Sequence, residues 1–388
     1  MSRSYPLTGL TVLDLSRLYP GAFCSLQLAD LGARVIKIEQ AGVGDFYRHG
    51  PDGPLLGDGV FEALNRGKES LTLDLKSTKG RLILKRLLRE ADVMIEGFRP
   101  GRLRRLGLDY DRLRRLNRRL ILCSITGYGQ SGPRAQEAGH DLNYIGVAGL
   151  LDPEAPVPPP YQVADLAGGG LYASIAILAA LQQRERTGRG AWIDMAMAEG
   201  VASLMGPGLA QSQCAPRGGR NASDLLGGSA ASYRTYKTKD GKNVALAALE
   251  PKFWQALQTS TGVDLPGDSG FAPGVFRPVR HRQLQRQFLK RTRRSWLDKN
   301  RRDDFCLSPV LSWREVLREP QFVARRFFTT RQLGARRIRM MRSPFVMDRK
   351  RLSRSRPAPR LGRDNTAILS ELGYSNEEIR RLKKDGIL

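Results

Sequence analysis

Two hydrophobic periods alternate along the first half of the chain. Leu10-Thr11-Val12-Leu13-Asp14-Leu15 is a short, nearly continuous apolar run, the pattern of a strand covered on both faces. A Pro20-Gly21 turn follows, then an apolar helix over 22–31 that stops at Gly32, and Val35-Ile36-Lys37-Ile38-Glu39 reads as a second strand. Strand, helix and strand at these lengths predict a βαβ unit with parallel strands and a right-handed crossover. The alternation continues with a strand over 71–75, a helix over 79–91 capped by Ser77 and a strand over 93–96. A basic helix over 106–116, a strand over 120–125, a long helix over 168–186 and a strand over 191–196 complete it. Such a succession defines an α/β, Rossmann-like, doubly wound domain.

Past residue 200 the pattern changes. Gly, Ser, Asn and Arg concentrate in a linker over 201–224. Two strands then flank Asp240-Gly241, a hairpin signal, and helices are expected over 252–261 and 280–290. This predicts a smaller α+β domain over 225–329. A basic, extended tail runs over 349–363, and Ser375-Asn376-Glu377-Glu378 is a capping box for a final helix.

Length and composition narrow the class. At 388 residues there is room for two domains with separate cores. The longest apolar stretch, 171–181, is broken by Tyr172 and Ser174 and reads as a buried helix, so no membrane span is expected. Met1-Ser2-Arg3-Ser4-Tyr5-Pro6 has no apolar signal core, which leads us to expect a cytoplasmic protein. Cys24, Cys123, Cys214 and Cys306 lie far apart with no CxxC spacing, so neither a zinc nor an iron–sulfur site is expected. The loop between the first strand and helix, Ser16-Arg17-Leu18-Tyr19-Pro20-Gly21, lacks GxGxxG and gives no reason to infer NAD or FAD.

The net charge of +26 raises the question of nucleic acid. Arginine-rich stretches at 102–105, 112–119, 277–294 and 349–360 are spread over the whole chain, without interleaved aromatics. We read them as a solvated basic surface that attracts anionic, polyphosphorylated substrates, not as a nucleic-acid groove.

Candidate chemistry concentrates in two segments. The first is Gly139-His140-Asp141-Leu142-Asn143-Tyr144, which holds one of only three histidines. The second is Val163-Ala164-Asp165-Leu166-Ala167-Gly168-Gly169-Gly170, where a carboxylate precedes a glycine run opening a helix. An imidazole and a carboxylate on separate loops suit removal and return of a proton beside an activated carbonyl. His49 and His281 are read as structural.

Several longer motifs accompany these segments. They include Gly32-Ala33-Arg34-Val35-Ile36-Lys37-Ile38-Glu39, Leu73-Asp74-Leu75-Lys76 and Ala91-Asp92-Val93-Met94-Ile95-Glu96-Gly97-Phe98-Arg99-Pro100-Gly101. Gly127-Tyr128-Gly129-Gln130-Ser131-Gly132-Pro133, Asp194-Met195-Ala196-Met197 and Ser308-Pro309-Val310-Leu311 extend the set. Through them the chain resembles, nearly end to end, the class III CoA-transferase superfamily of CaiB/BaiF type, and within it the α-methylacyl-CoA racemases. Racemases of this kind carry Gly-His-Asp-x-Asn-Tyr, matched at 139–144, and a Glu-Pro-x-Phe segment, matched by Glu250-Pro251-Lys252-Phe253. The Gln-Ala pair usual in the transferases is missing after Tyr144.

The resemblance implies a large CoA-binding domain from both termini (1–200 and 330–388), the small domain between, and an interlocked homodimer. Its active site would lie between the large domain of one subunit and the small domain of the other. The implied activity is racemisation of 2-methylacyl-CoA thioesters by 1,1-proton transfer through an enolate. His140 and Asp165 would be the opposing acid/base groups, and Glu250 would hold the imidazole. Asp165 suits that role only if burial raises its pKa. A backbone N–H near Asp141 or the glycines would receive the thioester oxygen.

By the same resemblance CoA would contact Leu73, Asp74, Leu75, Lys76, Gly97, Phe98, Arg99 and Arg105, with Arg66 near the adenine. Gly139, Asp141, Asn143 and Tyr144 would add to these CoA contacts. Gln40 stands where the family often has an arginine for a CoA phosphate. No metal or prosthetic group is implied; CoA arrives as part of the substrate. The alternative activity is acyl-CoA:carboxylate CoA transfer with Asp165 as covalent nucleophile.

Overall fold

The computed structural model describes residues 5–48, 57–152, 156–214, 225–265, 267–353 and 356–388. His49 and the second half of the expected linker, 215–224, lie outside them. The chain forms two compact units, Met1–Met205 with Ala324–Leu388, and Gly206–Val323.

The first unit is built on six parallel strands: β1 (Thr11–Asp14), β2 (Arg34–Glu39), β3 (Glu69–Thr72), β4 (Val93–Glu96), β5 (Ile121–Thr126) and β6 (Trp192–Ala196). Their order is β3-β2-β1-β4-β5-β6, so the winding direction reverses between β1 and β4. In doubly wound sheets the carboxyl ends of the strands at such a switch point open a crevice for ligands.

Because side chains alternate across a strand, each apolar strand feeds two cores. Val12, Val35, Val93, Ile95, Ile121 and Cys123 pack on one face with Leu28 and Ile177. Leu13, Ile36, Leu71, Met94 and Leu122 pack on the other with Ile83, Leu84, Leu88 and the C-terminal Ile368, Leu369 and Ile379. This two-sided burial is why the strands read as continuous apolar runs rather than alternating ones.

Several expected boundaries move. The first helix spans Leu18–Asp30, so Pro20 and Gly21 sit inside its first turn instead of forming a turn before it. Proline is tolerated there because its missing N–H would have no helical partner. Gly21 is required by crowding, since a Cβ would fall 2.2 Å from the Cβ and Oγ of Ser16. The third strand ends at Thr72, which releases Leu73–Leu75 into a loop.

The basic helix expected over 106–116 is two helices, Arg102–Arg105 and Tyr110–Leu116, divided at Gly107 with φ 70°. Asp109 caps the second by accepting from the Arg112 N–H at 3.2 Å. A helix over Gly57–Asn65 has no counterpart in the sequence reading.

Two differences bear on the chemistry. Residues 139–144, read as a loop, lead into a helix over Asp141–Val147. The glycine-rich helix starts earlier than expected, as a π-helix over Ala164–Leu171 that continues as an α-helix over Tyr172–Thr187. Together, Ala164–Thr187 is long and apolar enough by length and composition to cross a membrane; half of its most apolar stretch is buried within the protein.

The first half of the expected linker is also helical, as Met197–Leu204 and Gly206–Cys214. Gly200 packs directly on Gly168, so closely that a Cβ on Gly200 would lie 2.0 Å from the Gly168 carbonyl oxygen.

In the second unit, Tyr233–Lys237 and Asn243–Ala247 form the expected hairpin, and Leu307–Pro309 adds a third antiparallel strand. Trp254, Tyr236, Phe288, Trp296 and Phe305 fill its core. Helices at Pro251–Thr261, Pro278–Phe288 and Arg293–Asp303 surround it.

Candidate active site

The crevice at the switch point is a cavity of about 470 Å³, walled by segments that follow β1 (Ser16, Arg17, Leu18, Pro20, Gly21), β4 (Gly97, Phe98, Arg99, Pro100) and β5 (Gly127, Tyr128). His140, Asn143, Tyr144, Asp165 and Met197 close its far side. The lone imidazole of the motif and the carboxylate twenty-five positions on therefore border one space.

Asp165 lies in the first turn of the π-helix. π-turns inside helices occur often at functional sites. Its backbone N–H donates to Asp141 Oδ1 at 2.9 Å. Burial, reinforced by the Asp141 charge, pushes its carboxyl pKa up to about 7. A half-buried carboxylic acid with this proton affinity can both hold and release a proton near neutrality.

His140 is exposed and stands at the N-cap of Asp141–Val147. Its backbone N–H donates to Asn143 Oδ1 at 3.0 Å, which locks the turn that carries the ring. Tyr144 is buried; its hydroxyl donates to the Gly139 carbonyl and its ring meets Tyr128 edge-on at 5.1 Å. Burial, and then the Asp165 charge, push that hydroxyl's pKa up to about 12, so it stays protonated. Asn143 and Tyr144 thus brace the His140 segment as well as lining the cavity.

A second, smaller cavity of about 100 Å³ holds Gln40, Leu73, Asp74, Leu75, Lys76, Phe98 and Arg102. Ser16, Arg17 and Phe98 border both cavities. The Leu73–Leu75 segment reaches this wall because β3 ends early.

Under this wall lies an ion network that sequence reading missed. Lys68 pairs with Asp14 at 3.2 Å and Lys37 with Asp45 at 3.0 Å, all four side chains being sealed from solvent. Lys37 Nζ also donates to the Ser16 carbonyl at 3.0 Å, tying the network to the loop shared by both cavities. Burial works against the Asp14 carboxylate, but Lys37, Lys68 and the hydroxyls of Ser16 and Ser25 outweigh it and hold the pKa at about 2. Burial pulls the Lys68 ammonium down to about 8. The signal available in the sequence was Lys37 itself, a cation in the middle of an apolar strand.

Three expected positions fall elsewhere. Arg66 borders neither cavity; its buried guanidinium makes a two-pronged ion pair with Asp30, both contacts at 2.5 Å. Arg105 also borders neither, because it ends the short helix whose first residue, Arg102, reaches the small cavity. Asp141 is not a wall residue but the support of Asp165.

Glu250 belongs to the second unit, where it is the exposed N-cap of Pro251–Thr261. His281 is in the same unit against Arg234, and burial lowers its pKa. Among the residues missed at the site are Arg102 and Arg17, and the Arg17 Nη2 donates to Gln40 Oε1 at 3.3 Å. Arg17 brings a guanidinium to the place where Gln40 lacks one.

A doubly wound unit whose switch-point crevice is bordered by an imidazole and a carboxylic acid has the form of the ligand-binding α/β enzymes. More narrowly, the chain is a member of CoA-transferase family III, whose defining pattern matches residues 7–365. The alpha-methylacyl-CoA racemase of Homo sapiens is 35% identical over 395 residues, covering 98% of this chain and 97% of that protein. The succinyl-CoA:glutarate CoA-transferase of Homo sapiens is 32% identical over 413 residues, covering 100% of this chain and 91% of that protein. A crystal structure of a CaiB/BaiF family protein from Brucella suis superposes with a TM-score of 0.78 at 32% identity, covering 95% of this chain and 100% of that one. The protein is thus an enzyme of the family that holds both racemases and CoA-transferases, and acyl-CoA thioesters are the substrates this membership fits.

Proposed function

We propose that this protein is an α-methylacyl-CoA racemase that inverts the 2-carbon of a branched acyl-CoA by 1,1-proton transfer. The observation that carries the reading is that His140 and Asp165 border one cavity while Asp165 titrates at about 7. A thioester acidifies its α-hydrogen, and inversion then needs one group to take the proton from one face while another returns one to the opposite face.

In one direction Asp165 is the carboxylate base and His140 the imidazolium acid; in the other, Asp165 is the acid and His140 the neutral base. The two enzyme forms hold the same number of protons, so both directions share one pH profile. Backbone N–H groups at the start of Asp141–Val147 receive the enolate oxygen. The smaller cavity, with Arg17, Lys76 and Arg102, takes the phosphates of CoA. The proposal includes a homodimer, in which Glu250 of one subunit steadies His140 of the other, and no prosthetic group.

The test is incubation of a single enantiomer of a 2-methylacyl-CoA in deuterated buffer. Racemisation with deuterium at the 2-carbon is expected. Substrate binding without either change would overturn the proposal.

One observation favours a second reading. The Asp165 carboxylate, on the cavity wall, is also a nucleophile for CoA transfer, and the human transferase is nearly as similar as the human racemase. There the carboxylate attacks the thioester carbonyl and expels the CoA thiolate, giving a mixed anhydride. The thiolate then attacks the aspartyl carbonyl and releases the donor acid, leaving aspartyl-CoA. Hydroxylamine inactivation after exposure to acyl-CoA, with activity retained in His140→Ala, identifies this course.

A further inference from the structure

Away from both cavities, the first unit carries a wide concavity of about 870 Å³ between the ends of two helices, Tyr110–Leu116 and Tyr172–Thr187. Arg114, Arg115 and Arg118 enter it from one side and Arg189 from the other. Its wall has one carboxylate, Asp111, leaving an excess of three positive charges.

Three neighbouring arginines off the concavity are matched, Arg112 with Asp109 at 3.4 Å, Arg119 with Glu185 at 3.3 Å and Arg184 with Asp92 at 2.9 Å, whereas Arg186 has no ion pair among the described residues. None of the four arginines on the concavity has an ion pair among the described residues. The C-terminal dipole of Tyr110–Leu116 accounts for a cation at Arg114 or Arg115 taken singly. It does not account for Arg189, which lines the same concavity from beyond the end of another helix.

We propose that Arg114, Arg115, Arg118 and Arg189 form a binding site for a small polyphosphate anion, separate from the catalytic cavity. Guanidinium groups match phosphate oxygens in paired hydrogen bonds. Several converging on one concavity suit a ligand with clustered negative charge, such as a di- or triphosphate chain. Tyr110, stacked on the half-exposed Trp192 with ring centroids 6.1 Å apart, adds an aromatic edge at the rim. A nucleoside polyphosphate and an inorganic polyphosphate share the recognised chemistry. The inference does not depend on which reaction the enzyme catalyses.

The experiment is isothermal titration of the full chain with inorganic tripolyphosphate and, separately, with adenosine triphosphate at low and moderate salt. The triple variant Arg114→Gln/Arg118→Gln/Arg189→Gln is compared with Arg112→Gln/Arg119→Gln, which removes two paired arginines. One tripolyphosphate per chain, affinity at least tenfold weaker in the triple variant and unchanged in the paired control is the expected result. Tighter binding of adenosine triphosphate, lost together with Tyr110→Ala, supports a nucleotide as the source; equal binding supports the bare polyphosphate. Single substitutions serve if the triple variant does not fold. Tripolyphosphate binding that is unaffected by these substitutions overturns the site. So does a mixed-sequence oligonucleotide that binds tenfold more tightly than tripolyphosphate, which would make the surface a nucleic-acid one.

Discussion

The Asp141 carboxylate accepts a hydrogen bond from the Asp165 backbone N–H at 2.9 Å. The residue that follows His140 in the chain thus holds the turn that carries the other acid/base candidate. One side chain fixes the spacing of the pair and, through its charge, adds to the proton affinity of Asp165. Asp141→Asn keeps an acceptor of the same shape and removes the charge. It is expected to retain folding and shift the Asp165 limb of the kcat/KM pH profile to lower pH, with roughly tenfold loss of rate at pH 7. Asp141→Ala removes the hydrogen bond too and is expected to lose more of kcat than of KM. Profiles of both variants, measured in both reaction directions, check this; an unmoved limb in Asp141→Asn would remove Asp141 from any role in proton transfer.

The raised pKa of Asp165 has a cost in stability. The unfolded carboxyl titrates near 3.8 and the folded one at about 7, so between these values the native chain keeps a proton that the unfolded chain has released. This contribution is fully present below about pH 4 and is lost as pH rises through 7. Asp165→Asn has no such loss. Its melting temperature is expected to equal that of wild type near pH 4 and to exceed it above pH 7, by on the order of 2–4 kcal/mol in stability. Thermal melts across that range give the answer, and a variant less stable than wild type at pH 8 would contradict the assigned environment.

The helix that carries Asp165 is held by glycine contact. A Cβ on Gly200 would meet backbone atoms of Gly168, which no rotamer change can relieve. Gly200→Ala is expected to destabilise the chain by about 1–3 kcal/mol and to depress activity, since Gly168 is one turn beyond Asp165. Gly208 has open space at its Cβ and lies in the helix Gly206–Cys214. Gly208→Ala is expected to raise stability slightly, as alanine favours a helix over glycine by about 0.8–1 kcal/mol. Urea titration of the two variants separates the crowding effect from the backbone effect.

The parts of the fold that were legible in the sequence are those where burial writes a simple period. Strands such as Val93–Glu96 and Ile121–Thr126 are sealed on both faces and read as apolar runs; the Asp240-Gly241 hairpin and the Ser375 capping box rest on local chemistry. What failed depends on tertiary contact. The helix Leu18–Asp30 runs through Pro20, and the helix Asp141–Val147 begins in a motif rich in polar residues and is braced by Tyr144 against Tyr128. The glycines at 168–170 were read as the opening of a helix, whereas they lie inside one that starts at Ala164, and Gly168 allows two helices to touch. At the site, motif matching drew attention to His140 and Asp165, and the structure puts them on one cavity. Arg66 and Arg105 border neither cavity, and for Arg66 the side chain's direction is decided by a partner remote in sequence, Asp30.

Arg17 and Arg66 offer a direct contrast between an arginine on the cavity wall and one sealed in an ion pair. Arg17 borders both cavities and reaches Gln40 at 3.3 Å, a weak contact at the surface. Its removal as Arg17→Ala is expected to leave thermal stability within about 0.5 kcal/mol of wild type. The same change is expected to raise KM for an acyl-CoA roughly tenfold, since a charge-assisted contact to phosphate contributes on the order of 1.5–3 kcal/mol. Arg66 is sealed against Asp30, so Arg66→Ala leaves a buried carboxylate without its cation. That loss is expected to destabilise the chain by about 3–5 kcal/mol. In whatever fraction stays folded, KM should be unchanged. Measuring melting temperature and KM for both variants decides the assignment: a KM effect in Arg66→Ala without loss of stability would return Arg66 to the CoA site.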